Sequence, residues 1–212
     1  MADLAELTHA IETGDRTAAV SIARAAVEAG LPPQTILDAM TSAMQVVGGR
    51  FQRNEIYVPE MLIAARAMKE AMAVLEPVLV GAGIQPEATA ILGTVRGDLH
   101  DIGKNLVGMM WKGANIEVID LGTNVAADRF VQAAKDHNAS IVGISALLTT
   151  TMVGMREVVS AVRAADLGDV RIIVGGAPLT AEFAREIGAD GYAPDAGTAV
   201  DVVKAALARP AR

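Results

Sequence analysis

A chain of 212 residues that is 52% apolar but only 3% aromatic can bury a core for one medium domain or two small ones, built from Ala, Val, Ile, Leu and ten Met. Its 25 acidic residues against 18 basic ones give a net charge of −7 with no basic cluster, which argues against nucleic acid and anionic membranes as partners. The lack of cysteine excludes disulfides, thiolate metal sites and cysteine nucleophiles, and fits the expected cytoplasmic location, as do an acidic N-terminus unlike a signal peptide and no apolar stretch of ~18 residues to span a bilayer.

From residue 2 to about 80, apolar residues recur at helical spacing. Leu4, Leu7 and Ile11 form a stripe that Gly14 ends. Asp15 is placed to cap a second helix carrying Val20, Ala23 and Val27, which Gly30 ends. Pro32 and Pro33 open a third, with Ile36, Leu37, Met40, Met44 and Val47 on one side, and Gly48-Gly49 weakens its end. Val58, Met61, Leu62, Ala65, Met68 and Met72 mark a fourth, with Pro59 tolerated in its first turn. Four helices with short connections predict an antiparallel bundle over residues 1–84.

GAGIQPEAT, residues 81–89, reads as a linker, and the period then changes. Ala88–Val95, Ile116–Leu121, Ser140–Ser145 and Arg171–Gly175 are short apolar, partly β-branched runs, with a weaker fifth near Gly191–Ala193. Amphipathic segments at 103–113, 126–137, 152–165 and 179–187 lie between them, and a last helix covers 196–208. The alternation predicts an α/β domain over 88–212: a five-stranded parallel sheet in Rossmann-like, flavodoxin-type order with helices on both faces. Ligands in such sheets sit at the carboxyl ends of the strands, where the strand order reverses. The loops after residues 95, 121, 145, 175 and 193 share that edge.

The first of these loops runs Arg96-Gly97-Asp98-Leu99-His100-Asp101-Ile102-Gly103-Lys104-Asn105. It is either a capped polar turn or a His oriented by a carboxylate, as metal-binding imidazoles are. A phosphate loop fails on spacing: five residues separate Gly97 from Gly103-Lys104 where that motif has four, and Asn105 stands where Ser or Thr belongs. The third loop, Ser145 to Met152, brings the hydroxyls of Ser145, Thr149, Thr150 and Thr151, which suit either helix capping or a polar ligand. The fourth, Gly175-Gly176-Ala177-Pro178, has no bulky side chain, so backbone there can approach a flat ligand. Together these loops describe a slot walled by small residues with one His at its mouth. Asp190-Gly191-Tyr192-Ala193 is a further candidate for its border. His9 and His137 lie on polar helix faces, and Trp111 is expected to pack its helix against the sheet.

These residues resemble the cobalamin-binding pattern Asp-x-His-x-x-Gly, present as Asp98-Leu99-His100-Asp101-Ile102-Gly103, followed by Ser-x-Leu as Ser145-Ala146-Leu147 and Gly-Gly as Gly175-Gly176. The separations, 45 residues from His100 to Ser145 and 30 more to Gly175, suit that family. The helical half resembles the cap that precedes this domain in methionine synthase. The chain as a whole resembles the corrinoid proteins of methyltransferase systems acting on methanol, methylamines or methoxylated compounds.

The resemblance implies cobalamin bound base-off and His-on, with His100 as the metal ligand below cobalt and Asp98 holding its other nitrogen. Thr151 takes the place of a relay Ser. Asp101, Ile102, Gly103, Ser145, Leu147 and Thr149 would bind the cofactor, with Gly175 and Gly176 on the wall of the slot for its nucleotide tail, and Val95 and Gly122 nearby. It implies a carrier that moves a methyl group through Co(I) and methyl-Co(III), with the His-Asp pair taking up a proton when the ligand is shed. The partners implied are a substrate-specific methyltransferase, an acceptor methyltransferase and a reductive activase. The chain would then be the corrinoid subunit of a multi-component enzyme, with no acid or base of its own. Met40, Met44, Phe51, Tyr57, Met61 and Met68 are candidates for a lid over the upper corrin face, Met61 among the cofactor contacts; the same Met stripe also reads as bundle core. A cobalamin-dependent sensor or regulator is the alternative, although such proteins usually add a DNA-binding domain. A mutase small subunit usually lacks the bundle, and a cofactor-free module leaves the His100 loop unexplained.

Overall fold

The helical spacing of the first part of the chain is realised as α1 (Leu4–Thr13), α2 (Arg16–Glu28), α3 (Pro33–Gln52) and α4 (Val58–Gly81). The structure, a computed structural model, describes residues 3–210 and divides into a helical unit up to Pro86 that takes in Gly113–Asn115, and an α/β unit of Glu87–Lys112 and the chain from Ile116 on. The helix punctuation follows the sequence. Gly14 is a left-handed C-cap at φ 77°, the Asp15 carboxylate accepts the Ala18 N–H, and Pro33 opens α3. Gly48-Gly49 does not end α3, which continues to Gln52. Each glycine costs a helix about 1 kcal/mol, and the burial of Val47 and Gly48 on one face offsets it. Met40, Met44, Met61 and Met68 are buried, as bundle core would be, whereas Tyr57 is exposed and Phe51 half-buried. Among the described residues no helix is long and apolar enough to cross a membrane.

The α/β unit contains β1 (Ala88–Thr94), α5 (Ile102–Gly113), β2 (Ile116–Asp120), α6 (Ala127–Asp136), β3 (Ile141–Ser145), α7 (Met152–Ala164), β4 (Arg171–Gly175), α8 (Ala181–Glu186), β5 (Gly191–Ala193) and α9 (Ala196–Leu207). The strands form one five-stranded sheet in the order β2-β1-β3-β4-β5, every pair parallel. The order reverses at β1, so the crevice between the carboxyl ends of β1 and β3 is the switch point. Apolar residues of the central strands (Ile91, Val142, Ile144, Ile172, Val174) pack with Phe130, Met155 and Val159 of α6 and α7. Trp111 of α5 is buried against β3, where a side chain at Gly143 would collide with its ring, and its indole N–H donates to the Ala199 carbonyl at 3.0 Å. The amino edge of the sheet is pinned separately. The buried Asp190 carboxylate accepts from Arg163 at 2.6 Å and from the Ile172 N–H at 2.7 Å. Asp190 therefore serves the edge opposite the His100 loop, and only Tyr192 and Ala193 of that segment lead towards the carboxyl side.

Candidate functional site

The loop after β1 turns because Gly97 adopts φ 81°, a conformation a side chain would strain. The turn brings Asp98 beneath the loop after β3, at the switch point. Asp98 is 0% exposed, yet nearly every group around it donates a hydrogen bond. One carboxylate oxygen, Oδ1, accepts the His100 N–H at 3.0 Å and pairs with His100 Nδ1 at 2.8 Å. The other, Oδ2, accepts the N–H groups of Leu147 at 2.8 Å and Leu148 at 3.3 Å and the Thr151 hydroxyl at 2.7 Å. Burial pushes the Asp98 pKa up, but the hydrogen bonds from Leu147, Thr151 and His100 outweigh it and hold the carboxyl well below the usual carboxylate range.

Because an ionised carboxylate only accepts, His100 Nδ1 carries a proton, and in the neutral ring that tautomer leaves the lone pair on Nε2. The His100 side chain is 50% exposed, and among the described residues no hydrogen bond engages Nε2. A collar of apolar side chains lies open on the same two loops and the helix starts that follow them: Leu99 is 74% and Ile102 73% exposed, and Leu147, Leu148 and Val153 are exposed as well. An imidazole set among exposed aliphatic groups suits a ligand with a flat apolar face and one coordinating atom.

The helix-capping reading of the hydroxyl-rich loop does not hold at Thr151. That residue occupies the N-cap of α7 but makes no side-chain cap. Its hydroxyl goes to Asp98, a charge-assisted bond preferred over the Leu148 carbonyl at 2.9 Å. Thr151→Val, which keeps the shape and removes the hydroxyl, is expected to lower stability by about 1.5–3 kcal/mol, whereas Thr151→Ser stays near wild type; urea denaturation of the cofactor-free proteins measures both.

The remaining candidates within the α/β unit fall at the same edge. Ser145 ends β3 half-buried, its carbonyl accepting the Val95 N–H at 3.0 Å, and Thr149 is exposed on the next loop. Gly103 lies in the first turn of α5, where an added Cβ would meet nothing within 4 Å. Asp101 precedes that helix and holds Asn105, with a backbone bond of 2.7 Å and a side-chain bond of 3.1 Å. Gly175 pairs with Ala193 in the sheet, and a Cβ on Gly176 would overlap the Ala146 carbonyl oxygen. Gly176 thus has a packing reason as well as the one expected. Met61 belongs to the helical unit, where it is buried on α4.

Four further residues frame the His100 loop and were not among the expected site residues. The Thr94 hydroxyl donates to the His100 carbonyl at 2.9 Å. Asn124 accepts the Gly97 N–H on its side chain at 2.8 Å and donates its own N–H to the Asp98 carbonyl at 3.0 Å. The Lys104 ammonium bonds both oxygens of Asp120, at 2.7 and 2.6 Å. Only Lys104 left a trace in the sequence: it shares the i, i+4, i+7 stripe of Gly108 and Trp111, the buried face of α5.

Known proteins place this architecture. The family described as B12 binding domain matches residues 88–201, and a second family of the same description matches residues 3–76. A corrinoid protein of Desulfitobacterium hafniense is 38% identical over 99% of both chains. Trimethylamine corrinoid protein 2 of Methanosarcina acetivorans is 40% identical over 96% of both. Among solved structures, the methanol:cobalamin methyltransferase complex MtaBC of Methanosarcina barkeri superposes with a TM-score of 0.85 at 27% identity, covering 98% of this chain and 81% of that one. The Asp98-His100 loop at the switch point of a 2-1-3-4-5 sheet and matches over the full length lead to one conclusion: the chain belongs to the B12-binding family of corrinoid proteins, and cobalamin is its cofactor.

Proposed function

We propose that the protein is a methyl carrier that binds cobalamin base-off, with His100 Nε2 as the lower axial ligand of cobalt. The observation that carries this reading is the His100 imidazole itself: Nδ1 tied to a buried carboxylate at 2.8 Å, the ring half exposed, and exposed aliphatic side chains on both flanking loops. Among the described residues no group of three or more His, Asp or Glu side chains is placed to hold an ion, so a metal at His100 must bring its other ligands with it, as a corrin ring does. The bound cofactor supplies the cobalt that accepts and releases the methyl group. The protein's part is to set the tautomer of His100 and, through Asp98 and Thr151, to let the imidazole take up or lose a proton as axial ligation is lost or regained. Leu99, Ile102 and Leu147 would lie against the corrin, and Gly103, Ser145, Thr149, Gly175 and Gly176 would border the nucleotide tail.

The names of the relatives support a place in a methylamine or methanol system. The carrier would exchange its methyl group with a substrate-specific methyltransferase and an acceptor methyltransferase, with an activase restoring the reduced cofactor, all in the cytoplasm. Reconstitution with hydroxocobalamin tests the axial ligand. The wild type should show a base-off, His-on absorption spectrum with nitrogen ligation from protein by electron paramagnetic resonance of the Co(II) form, and His100→Ala should lose both. A spectrum unchanged in His100→Ala overturns the assignment.

A further inference from the structure

We propose that Lys104 is a positioning residue for His100, an inference that rests on His100 as axial ligand. Lys104 lies in the first turn of α5, and its side chain is 1% exposed. A buried ammonium is costly unless every donor is used. Here the three N–H donors have three acceptors: the two Asp120 oxygens and the Asn105 amide oxygen at 2.6 Å.

Each of those acceptors leads back to His100. Asp120 ends β2 and also accepts the Gly122 N–H at 2.9 Å. The Gly122 carbonyl accepts the Thr94 N–H at 3.0 Å, and the buried Thr94 hydroxyl donates to the His100 carbonyl at 2.9 Å. On the other side, the Asn105 side-chain amide donates to Asp101, the next residue in the chain, at 3.1 Å. Lys104 is bound to both arms. It ties the sheet side of the loop, through β2 and Thr94, to the helix side, through Asn105 and Asp101. Asp98 sets the tautomer of the imidazole, and Lys104 fixes the backbone from which the imidazole projects. Loss of such outer support around a metal ligand weakens metal binding about 10–100-fold.

The test compares full-length variants loaded with hydroxocobalamin at one pH, below every melting transition. Lys104→Met removes the ammonium but keeps an unbranched stem for the buried channel. Asp120→Asn keeps an acceptor oxygen and removes the charge, a milder change if Lys104→Met does not fold. Arg163→Met breaks the Asp190 ion pair at the opposite edge of the sheet and shows how far lost stability alone moves the readouts. Lys104→Met is expected to bind cobalamin about tenfold or more weakly and to hold a smaller His-on fraction. Asp120→Asn should follow in the same direction to a lesser degree, and Arg163→Met should change neither. Wild-type affinity and His-on fraction in both Lys104→Met and Asp120→Asn, or an equal change in Arg163→Met, overturns the positioning role. His100→Ala separates the two failures: if it leaves the spectrum unchanged, the axial ligand and this inference fall together, and if it alters the spectrum while the Lys104 and Asp120 variants do not, only this inference falls.

Discussion

Asp98→Ala is expected to lower the stability of the cofactor-free protein by about 3 kcal/mol, among the largest effects of any single site substitution here. The carboxylate is the common acceptor for the His100 N–H and Nδ1, the N–H groups of Leu147 and Leu148, and the Thr151 hydroxyl; its removal takes the acceptor from all of them, and only the hydroxyl has another at hand, the Leu148 carbonyl. A buried donor left without a partner costs about 1–3 kcal/mol, less where the loop opens to water, as the exposed Leu147 loop can. Asp98→Asn is intermediate, because its amide still accepts on one oxygen but turns an NH2 group towards other donors. The acid limb of stability distinguishes charge from shape. The folded-state pKa of Asp98 lies below its unfolded value of about 3.9. Its contribution is therefore complete above the unfolded value and is lost as the pH falls below about 4 towards the folded-state value. Urea denaturation at pH 7 and pH 3 should show the wild type losing more stability on acidification than Asp98→Asn. Parallel losses would mean that the carboxylate is not held ionised by its donors.

The strand edge of the site was legible because a parallel sheet writes itself locally. The runs Arg171–Gly175 and Gly191–Ala193 coincide with β4 and β5, and the other three strands differ from their runs by one residue at one end. The central runs are close to continuously apolar because both faces are covered, the edge strand β2 alternates instead (Glu117 and Asp120 are exposed), and each run is cut off by a polar or glycine-containing loop. The Asp98–His100 contact was legible for the same reason: two residues apart, they meet within one turn. Thr151 was placed through a family pattern, since nothing local sends an N-cap hydroxyl to a carboxylate 53 residues earlier in the chain. Asn124 and the Lys104–Asp120 pair were not legible, because they are made across the β1–β2 pairing, and the expected strand order names the neighbours without saying which side chains meet. The reversal of strand order puts β2 there, and only then does the loop after β2 reach Gly97 and Asp98. Gly48-Gly49 shows the converse: a local stop signal that burial overrides.

Gly176→Ala is the second large effect, expected at about 3–5 kcal/mol. At φ 141° an L-residue is strained before any contact is considered, and the new Cβ would overlap the carbonyl oxygen of Ala146, which is backbone and cannot swing aside. The loop after β3 must move. Ala146 immediately precedes Leu147, whose N–H holds Asp98 Oδ2, so the displacement reaches the carboxylate that orients His100. Gly176→Ala and Thr151→Val should then be non-additive, because each loosens the same carboxylate. Gly103→Ala gives the opposite result. Gly103 is helical, and a Cβ there meets nothing, so alanine should leave the cofactor-free protein as stable as the wild type or more stable by up to about 1 kcal/mol. If Gly103 borders the nucleotide tail, the same change should weaken cobalamin binding. Chemical denaturation without cofactor and a cobalamin titration together separate the two glycines: the expected outcome is that the Gly176 variant loses stability and the Gly103 variant loses only cobalamin affinity. Equal losses of stability at both positions, or undiminished cobalamin affinity in Gly103→Ala, would remove that distinction.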